Sequence, residues 1–355
     1  MSSTYTRLLA ELRRADASEF GGKSANLGEL LSIGLLVPPG FAVSARAFRA
    51  FVEEAGLAGT IASATSRAAS GDLDAVADAS KSIGEAMRLA PLPDAIRAEL
   101  ASRHEELVRT TGEEPAVAVR SSALGEDSEE ATFAGQQESF LWLRGLEQIC
   151  DAVRDCWASL YTPRAISYRA TLGAGGEEPA MGVAVQAMVD AEVAGVLFTC
   201  NPVTGDPSMV AVNASWGLGT VVVGGELTPD DFLVSKITGE VVRRTVSSKD
   251  VEDVPDASGG GTVRREVDED RRTAASLDEA ALEALVAVAR RVDAHYGSQQ
   301  DVEWAIARGL PLDEALHVLQ ARPVTALPER APTPSASALS LVLGTFGAPP
   351  DTSER

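Results

Sequence analysis

The sequence is poor in basic residues, and this scarcity excludes one broad class of function. Its 355 residues carry 31 lysines and arginines against 52 aspartates and glutamates, which gives a formal net charge of −21 at pH 7. Nucleic-acid binding needs clustered cations that neutralise phosphates, and no basic stretch is present. We therefore expect no nucleic-acid partner, and the acidity predicts a well-solvated surface.

Long apolar runs and metal-binding spacings are also missing. No apolar run approaches the roughly 18 residues that cross a bilayer, and the N-terminus lacks the pattern of a signal peptide, so we expect a cytoplasmic protein without a membrane span. Cys150, Cys156 and Cys200 have no metal-site spacing and are expected to be buried free thiols. The three histidines stand far apart and are expected to be structural.

Strands and helices alternate irregularly, which predicts an α+β fold rather than strict βαβ alternation. Residues 45–110 are alanine-rich with helical spacing, and strand-like runs dominate between residues 115 and 213. Residues 248–275 are charged and glycine-rich, which predicts an exposed excursion. Residues 327–355 are rich in Pro, Ala, Ser and Thr, which predicts a flexible tail.

A helix and two strands are predicted before that tail. The apolar spacing over residues 276–296 indicates a helix, and Ser276 with Glu279 fits a capping box at its start. The runs 301–307 and 316–322 alternate in the manner of strands, and the short connection between them predicts a hairpin.

These two strands place polar side chains on one face. Because side chains alternate along a strand, Asp301 and Glu303 share a face, and so do Gln320 and Arg322. Two carboxylates suit Mg²⁺ bound together with phosphates, while a guanidinium and an amide suit the phosphate oxygens. The alternative is a solvated polar sheet face with no ligand.

Three other positions are candidates for binding an anionic ligand. Arg120 ends an apolar run and is followed by a small loop at residues 131–137, so the loop is predicted to close over an anion held by the arginine. Lys23 lies in a GGKS sequence, but Ala17 stands where a P-loop requires glycine, which largely excludes that motif. Lys23 is then either a phosphate-binding cation or a surface charge. Gln186, within an apolar strand, either contacts an adenine edge or is a satisfied core amide.

Together these segments resemble the nucleotide-binding, ATP-grasp-type domain at the N-terminus of phosphoenolpyruvate synthase and pyruvate, phosphate dikinase. The matching stretches, in family order, are GGKSANLGELLSIGLLVPPGFAVSARAF (21–48), VAVRSSALGEDSEEATFAGQQESFL (117–141), RAISYR (164–169), GVLFTCNPVTGD (195–206), ASWGLG (214–219), DVEWA (301–305) and LQARPVT (319–325). The resemblance implies a stand-alone ATP-binding domain over residues 1–326. Its expected fold is α+β and ATP-grasp-like, with subdomains at roughly 1–200 and 201–326 and the nucleotide site between them.

The resemblance also implies a role for each matching residue. ATP would be bound beneath a lid formed by residues 132–137, with Mg²⁺ at the phosphates. The implied residues are Lys23, Arg120, Thr132, Gly135, Gln136 and Gln186 for ATP, Asp301 and Glu303 for Mg²⁺, and Arg120, Gln320 and Arg322 for phosphoryl transfer.

In such enzymes ATP phosphorylates a histidine on a separate swivelling domain. Here no histidine stands in the family's Thr-Ser-His context, and Thr220 occupies a position that is usually acidic. The resemblance thus implies a phosphotransferase component that needs a phosphohistidine carrier on another chain. The alternatives are a non-catalytic ATP-binding regulatory module and a truncated fragment of a full-length synthase. Pyruvate, an antibiotic hydroxyl and a phenol are all compatible as the final acceptor.

Overall fold

A computed structural model describes residues 5–69, 71–124, 138–172, 179–225, 227–256 and 260–324. The predicted lid residues Thr132, Gly135 and Gln136 and the predicted tail lie outside these ranges. The described chain mixes α and β structure, as the sequence predicts. Its strands are β1 Thr6–Leu8, β2 Gly40–Val43, β3 Val117–Ala123, β4 Ser139–Leu143, β5 Met181–Ala187, β6 Ala191–Phe198, β7 Met209–Trp216, β8 Asp230–Ser235, β9 Val241–Thr245, β10 Val251–Pro255, β11 Thr262–Glu266, β12 Gln300–Ala307 and β13 Leu316–Pro323.

Four of the described helices cover most of the predicted alanine-rich segment, residues 45–110, and one covers most of residues 276–296, which were predicted as a helix. The helices are α1 Ala17–Phe20, α2 Gly22–Ser32, α3 Ala45–Glu54, α4 Ala58–Ala68, α5 Leu73–Leu89, α6 Asp94–Thr111, α7 Gly145–Ala158, α8 Pro163–Leu172, α9 Thr220–Val223, α10 Glu269–Arg272, α11 Glu279–Tyr296 and α12 Leu312–Ala315. Within the described ranges, no helix has both the length and the hydropathy that crossing a bilayer requires.

Two antiparallel sheets organise the described residues. The first sheet has the strand order β1-β2-β5-β3-β4, and the second has the order β13-β12-β6-β7-β8-β9. Strands β10 and β11 form a separate hairpin. The change from the first sheet to the second falls between Ala187 and Ala191, about ten residues before the predicted subdomain boundary near residue 200.

The first sheet packs one face against the alanine-rich helices. Val117 and Val119 of β3 lie in this core beside Trp157 of α7, whose ring stacks on that of Phe51. The alternation of β3 therefore turns Ala118 and Arg120 to the opposite face. The three cysteines are buried and free, as predicted.

The second sheet packs against α11 and α2. Val302 and Trp304 of β12 lie in this core with Leu285 of α11 and Leu27 of α2. Because successive side chains of β12 alternate, Asp301 and Glu303 face away from this core. Both sheets thus have one fully packed face and one face that carries the predicted site residues.

The capping box predicted for α11 is wrong. The N-cap is Asp278, whose carboxylate accepts a hydrogen bond from the backbone N–H of Ala281 at 2.8 Å. Ser276 instead donates through its N–H and its hydroxyl to Asp230, at 2.8 and 2.7 Å. Ser276 therefore does not cap the helix, because its hydrogen bonds are made with the buried carboxylate of Asp230.

Every residue of β11 is exposed, which confirms in part the exposed excursion predicted for residues 248–275. The segment contains the β10–β11 hairpin and α10, and Lys249 is completely buried with its ammonium 2.7 Å from Asp230. On the hairpin, Arg264 pairs with Asp253 and Arg265 with Glu252. The charged segment therefore combines an exposed strand, β11, with a largely buried strand, β10, whose acidic residues are paired.

Candidate nucleotide site between the two sheets

The polar face predicted for β12 and β13 is present. In the register of the two strands, Asp301 lies opposite Arg322 and Glu303 opposite Gln320. Cross-strand partners point to the same side of a sheet, so the four side chains share one face. Asp301 and Gln320 are only 9% and 5% exposed, and this burial contradicts the alternative of a freely solvated sheet face.

Asp301 is a buried carboxylate held by one arginine. The Nε and Nη2 atoms of Arg322 lie 2.9 and 2.8 Å from its Oδ2. Burial raises the pKa of Asp301 above its usual range, the nearby Glu303 raises it further, and the contact with Arg322 partly offsets the increase. An additional cation at this carboxylate would stabilise its charged form.

One ion pair joins the two sheets at this point. Arg120 of β3, in the first sheet, donates from Nη2 to Oε2 of Glu303 in the second sheet at 3.0 Å. Both side chains are less than one-fifth exposed. The predicted phosphate-binding arginine and the predicted metal-binding glutamate are therefore direct neighbours, although 183 positions separate them in the chain.

The beginning of α2 brings Lys23 to the same region. Lys23 is 6% exposed, and its ammonium donates to the carbonyl oxygen of Ser121 at 3.1 Å. This burial excludes the alternative of a solvated surface charge. The backbone N–H of Ser24 donates to Ser122 Oγ at 3.2 Å, which fixes the first turn of the helix against β3.

A glycine makes this approach possible. Gly21 precedes α2 with a φ of +81°, and a Cβ atom at that position would lie 2.1 Å from the carbonyl oxygen of Ser122. One turn further along α2, Asn26 donates to the carbonyl oxygen of Ala321 in β13 at 3.4 Å. Helix α2 therefore touches both sheets.

Gln186 lies on the same face of the first sheet as Arg120. It pairs with Ala118 of β3, while Arg120 pairs with Ala184 of β5, so the two polar side chains are one pleat repeat apart. Its amide is 3% exposed and donates to the carbonyl oxygen of Pro38 over a long 3.4 Å. This contact partly satisfies the amide, and both predicted roles of Gln186 remain open.

Apolar residues from both sheets meet beside this polar group. We call them the apolar cluster, and its members are Ala116, Trp142, Val189, Ala191, Ala194, Leu218 and Ala305. Ala305 follows Glu303 by two positions on the same face of β12, so the cluster begins where the charged residues end. Every member keeps between 2% and 9% of its surface exposed, unlike the fully buried valines on the opposite faces.

Sequence reasoning missed the apolar cluster and the role of the serines after Arg120. The segment Ala116-Val-Ala118-Val-Arg120 leads into β3 and places two alanines and an arginine on one face. A face of such small and charged residues does not pack as an ordinary core, and this is the signal of a candidate binding site. Thr220, at the start of α9, has an acidic neighbour on β10, because its hydroxyl donates to Asp253 Oδ2 at 2.7 Å.

Among the described residues, no group of three or more His, Cys, Asp or Glu side chains is arranged to hold a metal ion. A metal at Asp301 and Glu303 would therefore complete its coordination with oxygens from a ligand or from water. This donor set fits Mg²⁺, which is commonly bound by one or two carboxylates together with substrate phosphates.

Comparison with known proteins identifies a family. Residues 17–341 match the family described as pyruvate phosphate dikinase, AMP/ATP-binding domain. A probable phosphoenolpyruvate synthase of Methanothermobacter thermautotrophicus is 38% identical over 347 residues, which cover 98% of this chain and 50% of the relative. A rifampicin phosphotransferase of a Streptomyces species is 41% identical over 334 residues, which cover 91% of this chain and 37% of the relative. The chain thus spans half or less of the length of these relatives.

Proposed function

This chain belongs to the pyruvate phosphate dikinase AMP/ATP-binding domain family, and from that premise we propose that it binds Mg-ATP and phosphorylates a histidine on a separate carrier chain. The proposed reaction is the first half of a phosphoenolpyruvate synthase-like or dikinase-like phosphotransfer. The proposed architecture is ATP-grasp-like, with subdomains at roughly residues 1–200 and 201–326 and the nucleotide between them.

The observation that carries the proposal is the convergence of separate elements on one charged group. Helix α2 contributes Lys23, β3 contributes Arg120, and β12 contributes Glu303. The Arg120–Glu303 contact and the Lys23–Ser121 contact place these side chains around the middle of β3. Phosphoryl transfer depends mainly on positioning and on neutralising phosphate charge, and cations beside carboxylates serve both needs.

The ion pairs suggest how the site exchanges partners when nucleotide binds. In the structure, Arg120 neutralises Glu303, and Arg322 neutralises Asp301. A triphosphate offers the two arginines new anionic partners, and Mg²⁺ offers the two carboxylates a cation. We propose that the four side chains move from pairing with each other to binding Mg-ATP, so that charge stays balanced throughout.

Mg²⁺ bound at Asp301 and Glu303 would neutralise charge that develops on the phosphate oxygens. The chain's own residues would do the rest of the work. Lys23 and Arg120 would hold the phosphates, and Gln320 and Arg322 would orient the group being transferred. The side-chain NH₂ group of Gln320 would donate to the phosphoryl oxygens. Its Oε1 atom is buried without a hydrogen-bond partner in the structure and would accept from a donor that the ligand brings.

The order of residues along the strands suggests how the nucleotide lies. Charged side chains occupy the end of the site near Arg120 and Glu303, and the apolar cluster occupies the neighbouring positions. We propose that the triphosphate binds at the charged end and the base at the apolar end. Gln186, which lies between them on β5, is then within reach of the base.

The carrier histidine is proposed to come from another chain because each histidine here has a different local role. His295 lies 2.9 Å from Glu29, and His317 shares a hydrogen bond with the carbonyl oxygen of Ala315 at 2.8 Å. His104 stands 3.6 Å from Glu114. None of these contacts involves the charged residues of the proposed site.

Calorimetric titration with ATP, in the presence and absence of Mg²⁺, tests the proposal. We expect the wild-type chain to bind ATP in a Mg²⁺-dependent manner and Arg120→Ala to weaken this binding at least ten-fold. Arg88→Ala is the control, because Arg88 is an exposed arginine that also pairs with a carboxylate, that of Asp155. Absence of ATP binding by the wild type would contradict the proposal. Tight binding without any hydrolysis or transfer would favour the regulatory module instead.

A further inference from the structure

We infer that Trp142 forms the aromatic wall of the base end of the site and makes the site prefer purine over pyrimidine nucleotides. This inference rests on the proposed function, because it requires a nucleotide to bind between the two sheets. It adds a residue that determines which base is accepted.

The backbone of Trp142 has an unusual conformation. Its φ is +60°, and within the described ranges it is the one residue other than glycine with a positive φ. Bulky residues rarely adopt this conformation, and such strain persists only where surrounding contacts maintain it. Here the backbone N–H of Gly261, in the turn of the β10–β11 hairpin, donates to the carbonyl oxygen of Trp142 at 3.3 Å.

The strain accompanies an irregularity in strand pairing. Val117 pairs with Leu143 and Val119 with Phe140, so two residues of β4, one of them Trp142, oppose the single residue between the valines. Such a bulge redirects a side chain relative to the regular alternation. The residue opposite the bulge is Ala118, which pairs on its other side with Gln186. Trp142 and Gln186 therefore occupy the same rung of the first sheet.

The indole points into the space between the sheets. It packs in the apolar cluster with Ala194 and Ala305, both from the second sheet, and with Leu218. Trp142 contributes the single aromatic ring of this cluster, and its other members are alanines, a valine and a leucine. Trp142 is 8% exposed, so most of its ring is covered by the other members of the cluster, and a base would stack on it by replacing some of those contacts.

This arrangement suits a nucleobase in both shape and chemistry. The alanines present only methyl groups beside a large flat ring, and every base presents a π-face that stacks on such a ring. A purine covers more of an indole than a pyrimidine does, so stacking favours ATP over CTP. The triphosphate of both nucleotides meets the same charged residues, which makes base preference a separate property of the apolar end.

Three probes separate base binding from phosphate binding: Mg-ATP, Mg-CTP and inorganic tripolyphosphate with Mg²⁺. Their affinities are measured by calorimetry for the wild type, Trp142→Phe and Trp142→Asn. Asparagine tolerates a positive φ, so this variant removes the ring without adding backbone strain. Phe140→Ala is the matched control, because it removes a ring that packs on the opposite face of the same strand.

We expect Trp142→Asn to weaken ATP binding about ten-fold, to weaken CTP binding much less, and to leave tripolyphosphate binding unchanged. Trp142→Phe is expected to keep most of the preference for ATP, and Phe140→Ala to keep all of it. An unchanged ATP-to-CTP ratio in Trp142→Asn overturns the inference, and so does an equal loss for tripolyphosphate, which would indicate a structural role. If the wild type binds neither ATP nor tripolyphosphate, the proposed function fails and the inference fails with it.

Discussion

Asp301 combines two properties that conflict in the absence of a ligand. It is buried, and burial raises the pKa of its carboxyl group. Folding therefore disfavours the ionised carboxylate, which is the form that would bind a metal ion. The partner, Arg322, is more than half exposed at its side chain and compensates only in part. Groups that cost stability and gain their benefit from a ligand are common at functional sites.

From this conflict we predict that Asp301→Asn is more thermally stable than the wild type without nucleotide at pH 7, by about 1 to 3 °C, while it loses Mg-dependent ATP binding. Differential scanning calorimetry and titration calorimetry measure the two effects on the same preparation. Asp231→Asn is the control, because Asp231 also pairs with an arginine, Arg243, but at a more exposed position. A variant that is less stable than the wild type would contradict the desolvation argument.

The stability difference at Asp301 should also depend on pH in a defined direction. The unfolded chain ionises Asp301 near the usual value of about 3.9, while burial raises the pKa in the folded chain. Ionisation therefore costs the folded state free energy at neutral pH. This cost declines as the pH falls through the folded-state pKa and is absent below the unfolded value. The advantage of Asp301→Asn in melting temperature should shrink over that interval, and an advantage that grows would be inconsistent with a raised pKa.

Glu303 allows a complementary test of the metal assignment. We predict that Glu303→Gln reduces ATP affinity about ten-fold in the presence of Mg²⁺ and does not reduce it without Mg²⁺, where the change also frees Arg120 for the phosphates. The amide keeps the shape and one acceptor oxygen but loses the charge that attracts the ion. Titration with and without Mg²⁺ measures both values, and Glu266→Gln, which also removes a partner from an arginine, is the control. Full Mg²⁺ dependence in Glu303→Gln would refute the metal assignment.

At the scale of elements, the position of α2 depends on the close approach of Gly21 to β3. A Cβ at Gly21 would lie 2.1 Å from Ser122 O, whereas a Cβ at Gly112 meets nothing within 4 Å. The two glycines have nearly equal φ values, +81° and +80°. Gly112 is in the left-handed helical region, with a ψ of −12°, where alanine costs roughly 1–2 kcal/mol. Gly21 has a ψ of 161°, in a region that essentially only glycine adopts, so alanine there adds greater backbone strain as well as the steric clash.

We predict that Gly21→Ala destabilises the chain more than Gly112→Ala and, unlike it, weakens ATP binding, because α2 must move away from β3 and carry Lys23 with it. Chemical denaturation gives the two unfolding free energies, and calorimetry gives the two affinities. Equal effects of the two substitutions would mean that the approach of α2 to Ser122 does not position Lys23.

Elements whose patterns are local could be predicted from the sequence. The alternation around Asp301 and Glu303 correctly predicts a strand, its face and its pairing with the strand of Gln320 and Arg322. Charge at residues 248–275 correctly predicted the exposure of β11 but not the burial of Lys249, whose partner Asp230 lies on β8. An ion pair with a residue on another strand cannot be predicted from the composition of the segment itself.

The whole molecule determines the site in a way that local patterns do not. The contact between Arg120 and Glu303 exists only because the two sheets face each other, and no periodicity in either strand predicts that arrangement. The resemblance to a family supplied the expectation that these residues act together. Trp142 illustrates the opposite case, since neither pattern nor resemblance singled it out and only its backbone conformation did so.

If nucleotide binds between the sheets, its stabilisation should be shared by both of them. At a ligand concentration one hundred times Kd, Mg-ATP should add about 2.7 kcal/mol to the unfolding free energy. Hydrogen exchange measured by mass spectrometry should slow in β3, in β12 and in the first turn of α2. Exchange in α4 should not change, because Ala64 and Ala68 of that helix pack in the core on the face of the first sheet opposite to Arg120. Protection confined to a single sheet would place the nucleotide outside the interface and would require a different site.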